Sequence, residues 1–220
     1  DRTSAPWWQQ FAPRADLIAI HPVSSSRHVA PPGGLTATLG TNPIAFAFPT
    51  SHDPLVIDMG TSAFMHSDLI LRIRRGEQLP EGVAIDPQGR PTRDPAAADK
   101  GALLPFGGHK GFALAMAMQA FGVLAGLGTD YDKSQGFLII AIKPDLLLPL
   151  EDYKREMTGM IERIKMTPRQ PGVEEIRIPS ERAFRERARR LREGISIDRN
   201  IYDALVSLPQ GALAERTHSQ

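Results

Sequence analysis

The chain has 220 residues, 41% apolar and 23% charged, and its 26 basic and 25 acidic residues leave a formal charge of +1. That composition suits a globular protein with a sizeable core, and the balanced charge gives no global field to recruit nucleic acid or an anionic membrane surface. Cysteine is absent, which excludes disulfides, thiolate nucleophiles and cysteine metal sites together. No apolar run reaches the length of a membrane span, and DRTSAPWWQQF at the start has neither a basic stretch nor an apolar signal core. A soluble, cytoplasmic chain with no membrane and no nucleic-acid partner is expected.

In chain order, DLIAIHPV (16 to 23), NPIAFAFP (42 to 49) and LVIDM (55 to 59) are short, rich in β-branched and aromatic residues, and bounded by Pro, Gly or Asp, as strands are. Ser62 to Arg75 reads as a helix ending at Gly76. Residues 76 to 105 form a long stretch dense in Pro, Gly and Asp, the composition of a functional or disordered loop. Gly111 to Leu127 reads as a buried helix, and GFLIIAI (136 to 142) as a strand. After Pro149, the spacing of Tyr153, Met157, Met160, Ile161 and Ile164 predicts a helix with one apolar face. EEIRIP (174 to 179) reads as a further strand, Phe184, Ala188 and Leu191 mark another helix, and Asp198 can cap a last one carrying Ile201, Leu205 and Leu208. The order is mixed α/β.

The stretch LPFGGHKGFA (104 to 113) raises the chemical question, because two glycines, a histidine and a lysine stand at the mouth of an apolar helix. The first turn of a helix leaves N–H groups without intrahelical acceptors and carries the positive end of the dipole, so it attracts anions. Gly107 and Gly108 permit close backbone approach, while Lys110 adds a charge and His109 a donor. The same residues equally suit a tight turn with a solvated lysine. The sequence is neither a Walker A loop nor a GxGxxG fingerprint.

Two further stretches fit a phosphate or ribose, and both fit ordinary polar loops as well. In HPVSSSRH (21 to 28), three serines and Arg27 follow a strand end; in APPGGLTATLGTNPIAFAFP (30 to 49), Thr41 and Asn42 precede a strand. The histidines show no metal-ligand spacing, so no metal site is expected. Asp58, followed by Gly60, Thr61 and Ser62, is a helix cap or a site acid, with capping the preferred reading. In ERAFRERARRLREG, acids at 181, 186 and 193 interleave with the arginines, which reads as a solvated face rather than a nucleic-acid surface.

The runs LGTNPIAFAFP, VIDMGTSAF, GEQLPEGVAIDPQGRPTRDP, GALLPFGGHKGFALAMAMQ and IRIPSERAFRERARRLREGISID, together spanning about residues 15 to 208, resemble the malate/L-lactate dehydrogenase type 2 family of NAD(P)-dependent oxidoreductases. The resemblance implies a non-Rossmann nicotinamide-binding fold of α/β class, with a mixed, largely antiparallel sheet and packed helices, usually as a homodimer. It implies NAD or NADP as cofactor and hydride transfer to or from a small 2-hydroxy or 2-oxo acid, or a cyclic imino acid.

Carried over by position, the family's cofactor contacts fall on Ile20, His21, Pro22, Val23, Ser24, Ser25 and Ser26, on His109 and Lys110, and on Ser180, Glu181 and Arg182. Thr41 and Asn42 shape the neighbouring wall. Two departures stand out: HPVSS at 21 to 25, where the family more often has threonine–asparagine–serine, and Ser180, where it commonly has glycine. The family's proton-transferring histidine is expected upstream of Asp1, so no catalytic residue is placed on this chain. Residues 1 to 15 are then expected to be the remnant of an N-terminal region, 16 to 208 the NAD(P)-binding domain, and 209 to 220 a C-terminal tail. The competing expectations are a truncated, noncatalytic relative that binds a nucleotide or only dimerises, and a nucleic-acid module acting through the arginine helix.

Overall fold

The computed structural model describes residues 13–126, 135–197 and 199–208. The expectations for Asp198, for Leu127, for most of residues 1 to 15 and for the C-terminal tail lie outside the described residues. By internal contacts the chain divides into two units, Asp1–Ser180 and Glu181–Gln220, and each is described by itself.

The first unit is built on an antiparallel sheet. β1 (Ile18–Ser24) pairs with β2 (Ile44–Phe48), which pairs with β3 (Leu55–Met59). Later in the chain come α1 (His66–Arg75), β4 (Ala84–Ile85), α2 (Pro95–Lys100), β5 (Ala102–Leu103) and α3 (His109–Leu124). β6 (Gly136–Phe137) and β7 (Ile140–Ile142) then pair with the free side of β1, and α4 (Leu150–Lys165) follows. Every ladder is antiparallel, so the described residues contain no parallel βαβ unit of Rossmann type.

The expected strand over 136 to 142 is split, and a proline explains where. β6 and β7 share one register against β1, with Val23 opposite Phe137 and Ile20 opposite Ile140, which places Leu138 opposite Pro22. Leu138 N donates to Pro22 O at 3.2 Å, but Pro22 has no N–H to return the bond, so the ladder lapses there.

Helix α1 starts at His66, four residues later than expected, because the residues ahead of it are already paired. Ala63 N donates to Leu104 O at 2.7 Å, Phe106 N to Thr61 O at 3.1 Å, and Ser62 Oγ to Phe64 O at 2.7 Å. The helix ends as expected at Gly76, whose φ of 64° is the left-handed conformation that glycine adopts without strain.

Residues 76 to 105 are the largest departure: although most of their backbone is irregular, they carry β4, α2 and β5 and contribute to the core. Asp94 caps α2 by accepting from Ala96 N at 2.9 Å, with Pro95 at the first helical position. Leu79, Val83, Ala84, Ala98 and Leu103 are buried together with Val29 and Leu69. The apolar residues are thinly spaced among Pro, Gly and Asp, so composition reads as loop while the side chains build a core.

Only one stripe of α3 is buried: Gly111, Ala115, Met118 and Gly122. Small residues let the helix backbone lie close to the sheet. A Cβ on Gly136 would stand only 2.9 Å from Gly122 Cα. Phe112, Leu114, Gln119 and Phe121 are half-buried and the remainder, Met116, Val123 and Leu124 included, is exposed, which corrects the expectation of a buried helix. The expected helix after Pro149 forms as α4, although none of its residues is fully buried. It is tied down by Lys154 Nζ to Asp16 Oδ1 at 2.7 Å and by Thr158 Oγ1, which accepts from Ser51 N at 3.0 Å.

Residues 174 to 179 form no ladder among the described residues, contrary to expectation. The Glu174 carbonyl is instead taken by the Arg169 guanidinium. In the second unit, α5 (Glu181–Glu193) and α6 (Arg199–Val206) are both amphipathic. Glu186 is held down to about 2 by hydrogen bonds from Arg189 and Arg190, so acid and base neutralise each other along α5, as expected of a solvated face.

Candidate functional site

Helix α3 runs across the end of the sheet where β1 finishes, β2 starts and β3 finishes. At its first turn, Gly111 packs so tightly that an added Cβ would meet Phe106 O at 2.5 Å and Thr61 O at 2.6 Å. At mid-helix, Asn42 Nδ2 donates to Ala115 O at 3.0 Å and to Gln119 Oε1 at 3.1 Å. Near its end, Gly122 faces Gly136, which exchanges 3.2 Å hydrogen bonds with Ser24 Oγ. The GGHKG turn, Asn42 and Ser24 are thus strung along one helix, at its start, its middle and near its end.

The turn is built on Gly107 and Gly108, with φ of 54° and 60°. Lys110 N donates to Gly107 O at 3.3 Å and Gly111 N to Phe106 O at 2.9 Å. Among the described residues no carbonyl accepts from Gly108 N or His109 N, so two donors stay open at the positive end of a sixteen-residue helix. His109 and Lys110 are both exposed, and no acid among the described residues pairs with Lys110. An anionic ligand would find two N–H groups, an imidazole and an ammonium there without displacing an internal partner. This chemistry fits the phosphates of a dinucleotide.

Asn42 holds its surroundings together from inside the protein. It is fully buried, and its Oδ1 also accepts from Ser25 N at 3.0 Å. Both its side-chain polar atoms are engaged inside the protein, so it positions Ser25 and α3. Its φ of 33° lies in the left-handed region that asparagine tolerates best among non-glycine residues. Thr41 is also buried, and its carbonyl accepts from Thr61 N at 2.9 Å and Thr61 Oγ1 at 3.0 Å. Gly40 lies against Ser25, whose Oγ is buried without a hydrogen-bond partner among the described residues.

The remaining expected positions are more scattered. Ile20 lies mid-sheet between Phe46 and Ile140. His21 is buried in β1 with its ring edge-on to Phe137, 6.0 Å between centroids, and burial lowers its pKa. Pro22 and Val23 continue the strand toward Ser24. Ser180 ends the first unit at φ 68°, a conformation that suits the glycine the family commonly has there, and its Oγ donates to Val56 O at 2.7 Å. Glu181 and Arg182 open α5 in the second unit.

Asp58 does not cap a helix, contrary to the preferred reading, because α1 begins only at His66, with Met65 at the cap position. It is half-buried at the end of β3, no described residue bonds to its carboxylate, and burial raises its pKa. Register places Asp58 opposite Ala45 and Ala45 opposite His21, so the acid and the imidazole share one sheet face across a small alanine. The sequence signal was available: an apolar strand that ends in an aspartate. No group of three His, Asp or Glu among the described residues is arranged to hold a metal ion, and none of their helices is long and apolar enough to cross a membrane.

An antiparallel sheet crossed at one end by a glycine-led helix defines an α/β class distinct from Rossmann proteins. Within that class, the chain belongs to the malate/L-lactate dehydrogenase family, whose model matches residues 3–206. It is 35% identical to a malate/(S)-sulfolactate dehydrogenase of Methanothermus fervidus, over 91% of this chain and 61% of that enzyme. It is 38% identical to a Δ1-pyrroline-2-carboxylate/Δ1-piperideine-2-carboxylate reductase of Pseudomonas putida, over 93% of this chain and 62% of that enzyme. Among solved structures, a dehydrogenase from Sinorhizobium meliloti superposes with a TM-score of 0.82 at 31% identity, covering 91% of this chain and 62% of the other. The chain therefore spans about three fifths of the length of the relatives it matches.

Proposed function

We propose that this chain carries the nicotinamide-binding part of an oxidoreductase that moves a hydride between NAD or NADP and a small 2-hydroxy or 2-oxo acid, or a cyclic imino acid. The supporting observation is the α3 N-terminus, where two open N–H groups, His109 and Lys110 gather on a helix whose other end packs by the Ser24 strand end. The named substrates of the two enzyme relatives, malate or sulfolactate and the pyrroline and piperideine carboxylates, all carry a carboxylate next to the carbon that changes oxidation state.

In this proposal Lys110, His109 and the open N–H groups hold the cofactor phosphates, and Ser24, Ser25 and Ser26 line its approach from β1. Ile20 to Val23 supply the strand behind them, and Thr41 and Asn42 fix the wall. Ser180, Glu181 and Arg182 are assigned as contacts by resemblance, with the Ser180 hydroxyl already committed to Val56 O. A bound nicotinamide supplies or accepts the hydride. The accompanying proton calls for a group that titrates near neutrality. Asp58, raised by burial, is the carboxylate at this end of the sheet best suited to exchange one. The family's histidine, expected upstream of Asp1, is the other candidate.

We propose a homodimer, on the apolar surface left by Met116, Val123, Leu124 and Phe137, and a cytoplasmic setting, on the absence of cysteine. Sedimentation tests the dimer: a monomer at micromolar concentration contradicts it.

The enzymatic proposal is tested by following nicotinamide absorbance with 2-oxo acids and with a cyclic imino acid in the presence of NADH or NADPH. Turnover with one pairing is expected. Cofactor binding without turnover on any of them would favour the noncatalytic nucleotide-binding relative, and the absence of both would contradict either form.

A further inference from the structure

Away from the α3 turn, titratable side chains from three segments meet. His28 and His66 stack face to face, with ring centroids 3.6 Å apart and planes within 10°, and His66 Nε2 lies 3.3 Å from Asp99 Oδ1. His28 belongs to the loop between β1 and β2, His66 opens α1, and Asp99 lies on α2. Arg27 lines the same small cavity, about 30 Å³, with Leu69 and Ala98. The backbone at this point is a junction, since His28 N donates to Leu39 O and His28 O accepts from Leu103 N, each at 2.8 Å. The stack therefore fastens the loop to α1 and α2 beside β5.

Two parallel imidazoles in van der Waals contact cannot aim their lone pairs at one ion, so a shared metal is excluded by geometry. A proton is the ligand this cluster can take. The charged groups facing it are Asp99 from α2, His66 from α1, and Arg27 and His28 from the loop; β5 presents only Leu103. One positive charge on the pair is balanced by Asp99. A second would put two like charges face to face, with Asp99 the one described carboxylate that faces the pair.

We propose that His28, His66 and Asp99 form a proton-operated clamp, which holds residues 27–39 in place while at most one imidazole is charged and releases them when both are. Burial and then the neighbouring His66 charge lower the His28 pKa from its ordinary 6.5, opposed by Asp99. The opened loop then binds the proton more readily than the closed one. The clamp is complete above pH 6.5 and is lost as pH falls from there through the lowered value.

The test is hydrogen exchange on the whole chain, corrected for intrinsic rates, with β2 and β3 as internal reference. Between about pH 7.5 and about pH 5.5, protection across residues 27–39 should fall severalfold, up to about tenfold, relative to the reference. His28→Phe keeps a flat ring in the stack and removes the charge, so it should hold its protection at the lower pH. Equal loss in His28→Phe, or no loss in the wild type, overturns the proposal. A histidine titration of the unmutated protein by NMR serves if the variant does not fold. His28 must titrate below an ordinary histidine, and titration at or above that value overturns the clamp as well.

Discussion

Asn42 donates a hydrogen bond to the carbonyl of Ala115, 73 residues away in sequence, while accepting one from the backbone of Ser25. Through one buried amide, the strand-end loop that follows β1 and the helix that carries His109 and Lys110 are held in a fixed relation. Asn42→Ala would leave the half-buried Ser25 N–H and Gln119 side chain without this partner. A loss of about 2–4 kcal/mol in stability is expected, from roughly 1–3 kcal/mol per unsatisfied group. Urea unfolding checks it.

The contrast between two glycines tests how tightly α3 is seated. Gly111→Ala must push the first turn away from the Phe106 and Thr61 carbonyls, with an expected cost of about 1–3 kcal/mol and weakened dinucleotide binding. Gly159→Ala, in α4, meets only the end of the Arg163 side chain at 3.4 Å and should stabilise the protein by about 0.5–1 kcal/mol. Thermal unfolding of both variants, with a cofactor titration of the first, decides the matter.

Ser180 combines a left-handed backbone with a hydrogen bond to Val56 O. Ser180→Ala keeps the strain and loses the bond, so about 1 kcal/mol of stability should go. Ser180→Gly loses the bond but relieves the strain, and should stay within about 0.5 kcal/mol of the wild type. Equal effects of the two substitutions in denaturant melts would contradict this balance.

Burial of Asp58 raises its pKa in the folded state above the ordinary 3.8. The folded protein therefore binds this proton more readily than the unfolded chain. The penalty of the buried charge is present above the folded pKa and is relieved as pH falls through it toward 3.8. Asp58→Asn should be more stable than the wild type at neutral pH, and the difference should shrink in acid. If Asp58 serves in proton exchange, the same variant should lose turnover while keeping cofactor affinity.

The first three strands were legible because their apolar residues are contiguous and bounded by turn residues, and the glycine-led start of α3 marked the site by composition alone. Residues 76 to 105 were not legible, since Leu79, Val83, Ala98 and Leu103 form a core only once Val29 and Leu69 arrive from elsewhere in the chain. Asp58 was misread for a similar reason. A capping assignment needs a helix just after Ser62, but that stretch pairs with residues 104 to 106, a long-range contact with no local signature. Asn42 gave away its position before β2 but not its role, because its partners lie on a helix far along the sequence.

The central claim is that the α3 N-terminus holds a nicotinamide dinucleotide through Lys110. Titrating NADH and NADPH into the wild type and Lys110→Ala, followed by cofactor fluorescence, tests it most directly, with Lys154→Ala as a control that removes a cation paired to Asp16. Saturable binding to the wild type is expected, weakened in Lys110→Ala by about 1.5–3 kcal/mol, roughly ten- to hundredfold in Kd, and left unchanged in Lys154→Ala. An unchanged Kd in Lys110→Ala, or no binding to the wild type, would contradict the claim.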